Sequence, residues 1–203
     1  RFKFYQKDIK HQIYKIPYIS ISDSEKKKLL KMMTKGKKIN PYMNNFSAKG
    51  TKLYYDDLKK AIPKYMSKLE SYEFLGSVSN EIKAKISLLN NDDDKVFARL
   101  YEEKGDMIDW HYDNNFSNAR KFTAIIPIIL DKCNTSHLQY KESGTGKIKT
   151  VKDKMSHIYI YEGDKIHHKV TEQTEGCKRL VIIAPLYEKP DFSCIGKLNN
   201  LTK

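Results

Sequence analysis

The pattern of hydrophobic and polar positions changes about halfway along the chain. From residue 21 to about 90 it is helical, with apolar residues at spacings of three and four. Ser22 or Ser24 can cap a helix over the segment EKKKLLKMM, Pro63 breaks the next helical stretch, and a third segment, NEIKAKISLL, follows. We expect these helices to form a layer that supports the rest of the fold.

After an acidic turn at 90–94, short runs rich in β-branched and aromatic residues replace the helical pattern. About eight runs separated by Gly, Asn and Asp turns are typical of a sandwich or barrel rather than of alternating βαβ units. They cover residues 96–101, 107–113, 121–130, 137–140, 148–152, 157–163, 167–171 and 179–187. The prediction is a mainly β fold, a double-stranded β-helix (jelly roll) with N-terminal helices packed outside it.

The length indicates one domain, because 203 residues are too few for two large cores without a clear boundary. Within the single domain 1–203 we expect support helices and strands at 1–94, the jelly-roll core at 95–190, and a C-terminal tail at 191–203. No internal repeat at the periods of repeat proteins changes this division.

The net charge of +13 creates a field that attracts nucleic acid, acidic proteins or anionic surfaces. Only four of the 38 basic residues are arginine, however, and base and phosphate recognition depends on the bidentate arginine fork. The net charge therefore has two possible interpretations: a basic surface that binds an anionic partner, or an ordinary solvated surface.

Cys133, Cys177 and Cys194 are odd in number and show neither CxxC spacing nor a disulfide framework. We therefore expect free thiols and a reducing compartment. No apolar stretch is long enough to span a bilayer, so we expect no membrane association and an intracellular location, cytoplasmic or nuclear. Because the chain starts at Arg1 rather than Met, its native N-terminus and any targeting segment stay open.

A candidate metal centre begins at His111 and Asp113. Side chains alternate between the two faces of a strand, so these two residues share a face while Trp110 and Tyr112 point the other way. His168 adds a second imidazole from a later strand. Two histidines and one carboxylate can occupy one face of an octahedron around iron(II) and leave three positions for a 2-oxo acid and dioxygen.

The choice between His167 and His168 depends on which residue two positions later shares the inner face. For His168 that residue is Val170, whereas for His167 it is Lys169. A buried lysine beside a dication is unfavourable, so His168 is the predicted ligand.

Arg179 begins the longest apolar run, and its guanidinium would enter an otherwise apolar barrel. A buried charge needs a partner, which can be a carboxylate of a bound cosubstrate or an internal aspartate. The neighbouring Lys178 is a rival cation, but strand alternation turns it outward.

Together, HYD at 111–113, HKV at 168–170 and Arg179 resemble the HxD…H…R/K signature of the iron(II)/2-oxoglutarate-dependent oxygenases, and within them the prolyl-4-hydroxylase-like branch. The similarity covers roughly residues 96–187. It implies that iron(II), 2-oxoglutarate and dioxygen are used, with ascorbate as a further candidate, and that Arg179 binds the distal carboxylate of 2-oxoglutarate.

Tyr101, ten residues before His111, and Thr123 are candidate hydroxyl donors to the cosubstrate, although both can be ordinary strand residues. At Pro127 the chain departs from the branch, whose members often have a hydrogen-bonding side chain there. The remaining histidines, at 11, 137 and 157, have no partners at ligand spacing and receive no role.

The sequence is compatible with three functions. The first, which the branch resemblance implies, is hydroxylation of a prolyl or lysyl side chain in a protein or peptide. The second is oxidation of a nucleic-acid base, with residues near the cavity mouth that could contact it: Tyr112, Asn114, Asn115 and Phe116. Against it, Pro185 stands where the nucleic-acid branch has a second arginine. The third is a jelly-roll binding protein without catalysis.

Overall fold

The structure is a computed structural model that describes residues 13–17, 19–39, 47–88, 95–115 and 119–188. The acidic turn at 90–94 and the C-terminal tail at 191–203, both predicted from the sequence, lie outside these residues, as do Phe116, His11 and Cys194.

In the part of the chain that the structure describes, four helices precede most of the strands. They are α1 (Asp23–Met33), α2 (Tyr55–Ala61), α3 (Pro63–Leu69) and α4 (Tyr72–Ile82). Ser22 caps α1 by accepting a hydrogen bond from the backbone N–H of Glu25, and Pro63 separates α2 from α3 by occupying the first turn of α3. Within the described residues, no helix has the length and apolar character that crossing a bilayer requires.

The predicted third helical segment is wrong in its second half. Helix α4 ends at Ile82, where Lys83 adopts the left-handed conformation (φ 60°) and its N–H bonds to the carbonyl of Ser79. The chain then forms a short strand at Ile86–Leu88, which pairs with the last strand of the sheet. Pairing with an existing sheet here outweighs the local helical pattern.

Twelve strands are found in the rest of the described residues. They are β1 (Tyr14–Pro17), β2 (Lys37–Lys38), β3 (Thr51–Leu53), β4 (Ile86–Leu88), β5 (Phe97–Tyr101), β6 (Ile108–His111), β7 (Lys121–Leu130), β8 (Leu138–Lys141), β9 (Ile148–Val151), β10 (His157–Tyr161), β11 (His168–Val170) and β12 (Arg179–Glu188). The last eight, β5 to β12, correspond to the eight runs predicted from the sequence.

The described strands form two antiparallel sheets. The major sheet has the order β1-β10-β7-β12-β5-β3-β2, with β4 also paired to β12, and the minor sheet has the order β6-β11-β8-β9. Consecutive strands from β5 onward mostly alternate between the sheets, as in a jelly roll. The predicted double-stranded β-helix with outer helices is therefore confirmed.

Two apolar cores stabilise this arrangement. The larger joins the helices to the outer face of the major sheet, and the smaller fills the space between the two sheets. Inner-face residues of both sheets meet in the smaller core, among them Ile108, Ile125, Leu138, Val170 and Val181. One end of this inter-sheet space is lined by polar side chains instead, and the candidate site lies there.

The expectation of free thiols is wrong for two of the three cysteines. Cys133 and Cys177 form a disulfide with their Cα atoms 5.8 Å apart. They lie on the β7–β8 and β11–β12 loops, which are 44 residues apart in sequence but adjacent in the fold because Asp131 and Lys178 also exchange hydrogen bonds there. Cysteine count and spacing did not reveal this adjacency, and they no longer support a reducing compartment.

Candidate metal centre and cavity

Strand pairing brings the three candidate metal ligands together. His111 is the last residue of β6, His168 is the first residue of β11, and the two are direct partners in the minor sheet. Asp113 follows two residues later, held by a hydrogen bond of 2.9 Å from its N–H to the carbonyl of Gly163. The ligand atoms of the three side chains lie within 4.8 Å of one another.

Backbone carbonyls set the tautomer of both histidines. The Nδ1 atom of His111 is 2.7 Å from the carbonyl oxygen of Asp109, and that of His168 is 2.7 Å from the carbonyl oxygen of Ile166. A carbonyl oxygen only accepts, so in each ring Nδ1 carries the proton. Nε2 is then the nitrogen through which each neutral ring can bind a metal.

The Asp113 carboxylate faces both imidazoles. Its Oδ1 is 3.5 Å from Nε2 of His111 and 3.6 Å from Nε2 of His168, while Oδ2 accepts a hydrogen bond from the Thr123 hydroxyl. Burial opposes ionisation, but the two imidazoles and the hydroxyl outweigh it and hold the pKa of Asp113 well below its usual range. The carboxylate is therefore charged at neutral pH.

Three electron-pair donors thus converge at distances too long for strong hydrogen bonds among themselves. A carboxylate oxygen that faces two imidazole nitrogens is stable only with a proton or a metal cation between them. Two imidazoles and one carboxylate match the facial set that non-haem iron(II) takes, with positions left for other ligands. The residues therefore fit the metal that the sequence signature implies.

Gly163 makes room for the carboxylate. A Cβ atom on this residue would lie 1.9 Å from Oδ2 of Asp113 and 2.8 Å from the hydroxyl of Thr123. Only glycine lets the backbone after β10 approach this closely, so Gly163 helps to fix the position of Asp113.

The register of β11 separates the two adjacent histidines as the sequence predicts. His168 and Val170 are 3% and 4% exposed and face the inter-sheet space. His167 lies on the outer face, stacked on Tyr112 with ring centroids 4.8 Å apart and 5.2 Å from the ring of Trp110.

Arg179 lies at the deep end of the inter-sheet space and is 1% exposed. Its Nε donates to Oδ2 of Asp153 at 2.7 Å, so the internal aspartate considered in the sequence analysis is present. The pair leaves two buried atoms without a hydrogen-bond partner among the described residues, Nη2 of Arg179 and Oδ1 of Asp153. Arg179 therefore keeps a donor for a second carboxylate despite its ion pair.

A single cavity of about 280 Å³ connects the metal centre with Arg179. Tyr101 and Tyr161 line it and are both almost fully buried, Tyr101 beneath the Arg179 guanidinium at 5.3 Å and Tyr161 against the His168 ring at 5.0 Å. Burial raises the pKa of Tyr161 well above its usual value, so its hydroxyl stays protonated and can donate.

Some of the polar residues that the sequence suggested for the site already form hydrogen bonds within the protein. Thr123 lines the cavity but already donates to Asp113. Of the polar residues expected at the mouth, Tyr112 is 53% exposed and lines the cavity with Asn114, whereas the Asn115 amide donates to Asp164 and to the backbone of Ala119.

Two prolines occupy places where a strand tolerates them. Pro127 lies beside the irregularity at which the pairing of β7 with β12 shifts register. Pro185 lies on β12 between the segments that pair with β5 and β4. Proline has no backbone N–H, so neither residue can donate a hydrogen bond to the neighbouring strand.

Three residues of the site were not predicted from the sequence: Asp153, Tyr161 and Gly163. Asp153 belongs to a loop after β9 with no periodic signal, and the only hint was that a buried arginine needs a partner. Tyr161 lies in a run in which Tyr and Ile alternate, so it looks like an ordinary core residue. Gly163 follows a strand and looks like an ordinary turn glycine.

Comparisons with known proteins identify the fold. No protein-family model matches the sequence, and no curated protein sequence matches it. Among solved structures, a prolyl-4-hydroxylase from Pseudomonas putida is similar with a TM-score of 0.58 and 11% identity, over 89% of this chain and 94% of that one.

Two further solved structures have a similar fold. An oxidoreductase of the 2-oxoglutarate/iron(II) oxygenase family from Burkholderia pseudomallei gives a TM-score of 0.61 at 9% identity, over 86% of this chain and 85% of its own. The viral collagen prolyl hydroxylase from Paramecium bursaria Chlorella virus-1, solved with 2-oxoglutarate, gives a TM-score of 0.53 at 14% identity. The match covers 87% of this chain and 96% of that one. At these identities the likeness shows the fold alone: the chain has the jelly roll of the 2-oxoglutarate/iron(II) oxygenases.

Proposed function

We propose that this protein is an iron(II)- and 2-oxoglutarate-dependent dioxygenase that hydroxylates a prolyl or lysyl side chain of a protein or peptide. The observation that carries the proposal is one cavity with two imidazole nitrogens and a carboxylate oxygen at one end and a buried guanidinium at the other. Iron(II), with 2-oxoglutarate and dioxygen, would supply the C–H oxidation, releasing succinate and carbon dioxide.

Each residue has a defined role in this proposal. His111, Asp113 and His168 would hold the metal, with Thr123 and Gly163 orienting the carboxylate. The free Nη2 of Arg179 would bind the distal carboxylate of 2-oxoglutarate.

The buried tyrosines would complete the cosubstrate site. Tyr101 and Tyr161 line the cavity, and their hydroxyls would donate to cosubstrate oxygens. The apolar residues Ile125, Val170 and Val181 exclude water from the same space, which strengthens each of these charged contacts.

A peptide substrate is favoured over a nucleic acid by the resemblance to the prolyl-4-hydroxylase-like branch. Prolyl hydroxylases are also among the proteins whose fold this chain shares. In addition, the arginine of the nucleic-acid branch is replaced at Pro185, and the basic residues are mostly lysine.

The test measures succinate from purified protein supplied with iron(II), ascorbate and 2-oxoglutarate. Proline- and lysine-containing peptides would be compared with methylated single-stranded DNA and RNA by mass spectrometry of the products. His111→Ala and Asp113→Ala should abolish metal binding and turnover, whereas the control His157→Ala, a histidine whose ring bonds to the adjacent Ser156, should retain both. Turnover that survives either ligand change contradicts the metal assignment, and products confined to nucleic acid contradict the substrate assignment.

A further inference from the structure

A second arginine lines the same cavity. Arg99 on β5 pairs with Val181 on β12 to one side and with Lys52 on β3 to the other. The Arg99 and Lys52 side chains flank the ring of Phe97, with the guanidinium carbon 5.7 Å and Nζ 4.0 Å from the ring centroid. We call Lys52, Phe97 and Arg99 the cationic wall.

Arg99 has no anionic partner among the described residues. Its Nε is buried without a hydrogen bond, and it forms no ion pair with a described acid. A buried guanidinium nitrogen without an acceptor is unfavourable, and the arginine fork has the geometry of a carboxylate. Arg99 is therefore suited to bind an anion that the described residues do not supply.

The charge balance of the cavity indicates the same. Asp113 is the only acid among the described residues that line it, against four cations: Lys52, Arg99, Lys121 and Arg179. Bound iron(II) and 2-oxoglutarate would cancel each other's charge, and Arg179 is already paired with Asp153. Arg99 then remains a cation of the cavity with no described acid beside it.

The position of Arg99 favours the substrate over the cosubstrate as the source of this anion. Its side chain lies over Phe97, which is two residues along β5 in the direction away from Tyr101 and Arg179. Arg99 is also partly exposed, whereas Arg179 is 1% exposed. A ligand entering from solvent therefore meets Arg99 before it reaches the deep end of the cavity.

We propose that the cationic wall binds the carboxylate of an Asp or Glu side chain in an acidic peptide substrate, close to the residue that is hydroxylated. This inference rests on the proposed function, because it deepens the substrate class of the same site. Arg99 would act as a specificity-determining residue through a charge-assisted, bidentate contact, and Lys52 would add to the positive potential.

The test measures peptide binding under anaerobic conditions, so that no turnover occurs. Protein loaded with iron(II) and 2-oxoglutarate is titrated by calorimetry with two peptides that differ only in having Glu or Gln beside a central Pro and Lys. Wild type should bind the Glu peptide about tenfold to a hundredfold more tightly. In Arg99→Gln this preference should disappear while the affinity for 2-oxoglutarate, titrated separately, stays unchanged.

Lys64→Gln is the matched control, since it removes one positive charge from an exposed side chain of helix α3, which packs on the other face of the major sheet. It should keep the preference of wild type. Equal binding of the two peptides by wild type, or binding of neither, would overturn the proposal. A loss of 2-oxoglutarate affinity in Arg99→Gln would also overturn it and make Arg99 a cosubstrate anchor.

Failure of this inference is distinguishable from failure of the proposed function. If only the inference fails, iron-dependent succinate formation persists, but the protein shows no preference for the Glu peptide over the Gln peptide. If the proposed function fails, wild type forms no succinate at all, whatever the peptide. Melting temperatures of Arg99→Gln and Lys64→Gln, recorded alongside, show that both variants are folded.

Discussion

Asp153→Asn is expected to destabilise the protein in the absence of 2-oxoglutarate and to tighten its binding of 2-oxoglutarate. In the structure, Asp153 and Arg179 form an ion pair in which both side chains are 1% exposed. The change leaves the Arg179 guanidinium buried without a counter-ion, so the protein without 2-oxoglutarate is destabilised. The distal carboxylate of 2-oxoglutarate then becomes the counter-ion and no longer faces the charge of Asp153.

The magnitude follows from the burial of the pair. Removing one partner of a buried ion pair destabilises by about 3 to 5 kcal/mol. Asn keeps an oxygen that can accept from Nε of Arg179, which favours the lower end, about 3 kcal/mol. For a chain of this size that corresponds to a melting temperature lower by about 6 to 12 °C. At an effective dielectric constant of about 20, relief of carboxylate repulsion should tighten 2-oxoglutarate binding about tenfold or more.

The assay records thermal unfolding with and without saturating 2-oxoglutarate in the presence of Mn²⁺, and the dissociation constant by calorimetry. Asp57→Asn is the control, because Asp57 forms an exposed pair with Lys60 whose loss should cost at most about 1 kcal/mol. An Asp153→Asn protein with unchanged stability and weaker 2-oxoglutarate binding would refute the reasoning. Asp153 would then help to orient the cosubstrate rather than compete with it.

Three further outcomes are expected at and around the cavity. His168→Ala should eliminate metal binding and turnover, whereas His167→Ala on the outer face should retain most of both, as metal titration and succinate assays would show. Gly163→Ala should weaken metal affinity by at least about tenfold, since its Cβ would displace Asp113 and ligand-shell changes cost about 10- to 100-fold. Cys133→Ser should lower unfolding free energy by about 4 kcal/mol by opening a 44-residue loop, as denaturant unfolding would show.

Each outcome has a control or a contrary result. Greater loss in His167→Ala than in His168→Ala would place the metal on the other face of β11. Gly76→Ala is the control for Gly163, because a Cβ at Gly76 contacts nothing within 4 Å and alanine favours helix α4. For Cys133→Ser, a stability equal to that of wild type, measured without reductant, would contradict the cross-link.

The sequence predicted the elements whose signals are local. Strand β7 was predicted over 121–130 and is found there, because β-branched residues fill both of its faces. The shared face of the His168 and Val170 side chains followed from strand alternation alone. These predictions needed only the period of a strand and the chemistry of one buried residue.

The features that were missed depend on contacts between distant segments. The helical pattern continued past Ile82, but pairing of Ile86–Leu88 with β12 formed a strand instead. Asp153 meets Arg179 from 26 residues away, and the disulfide joins two loops whose proximity is set by the sheet topology. Local spacing carries no information about such partners.

The deep end of the cavity has a kinetic consequence. Beyond Tyr101, Gln173 donates to the Tyr101 carbonyl and to Asn134, and the cross-link at Cys177 ties the adjoining loops together. The exposed lining residues Tyr112 and Asn114 lie at the opposite end. If the proposed function holds, a cavity closed behind Arg179 and open in front would fill in sequence, with 2-oxoglutarate arriving before a peptide covers the entrance. Steady-state kinetics should therefore show compulsory-order addition, with excess peptide trapping the protein in a complex that lacks 2-oxoglutarate.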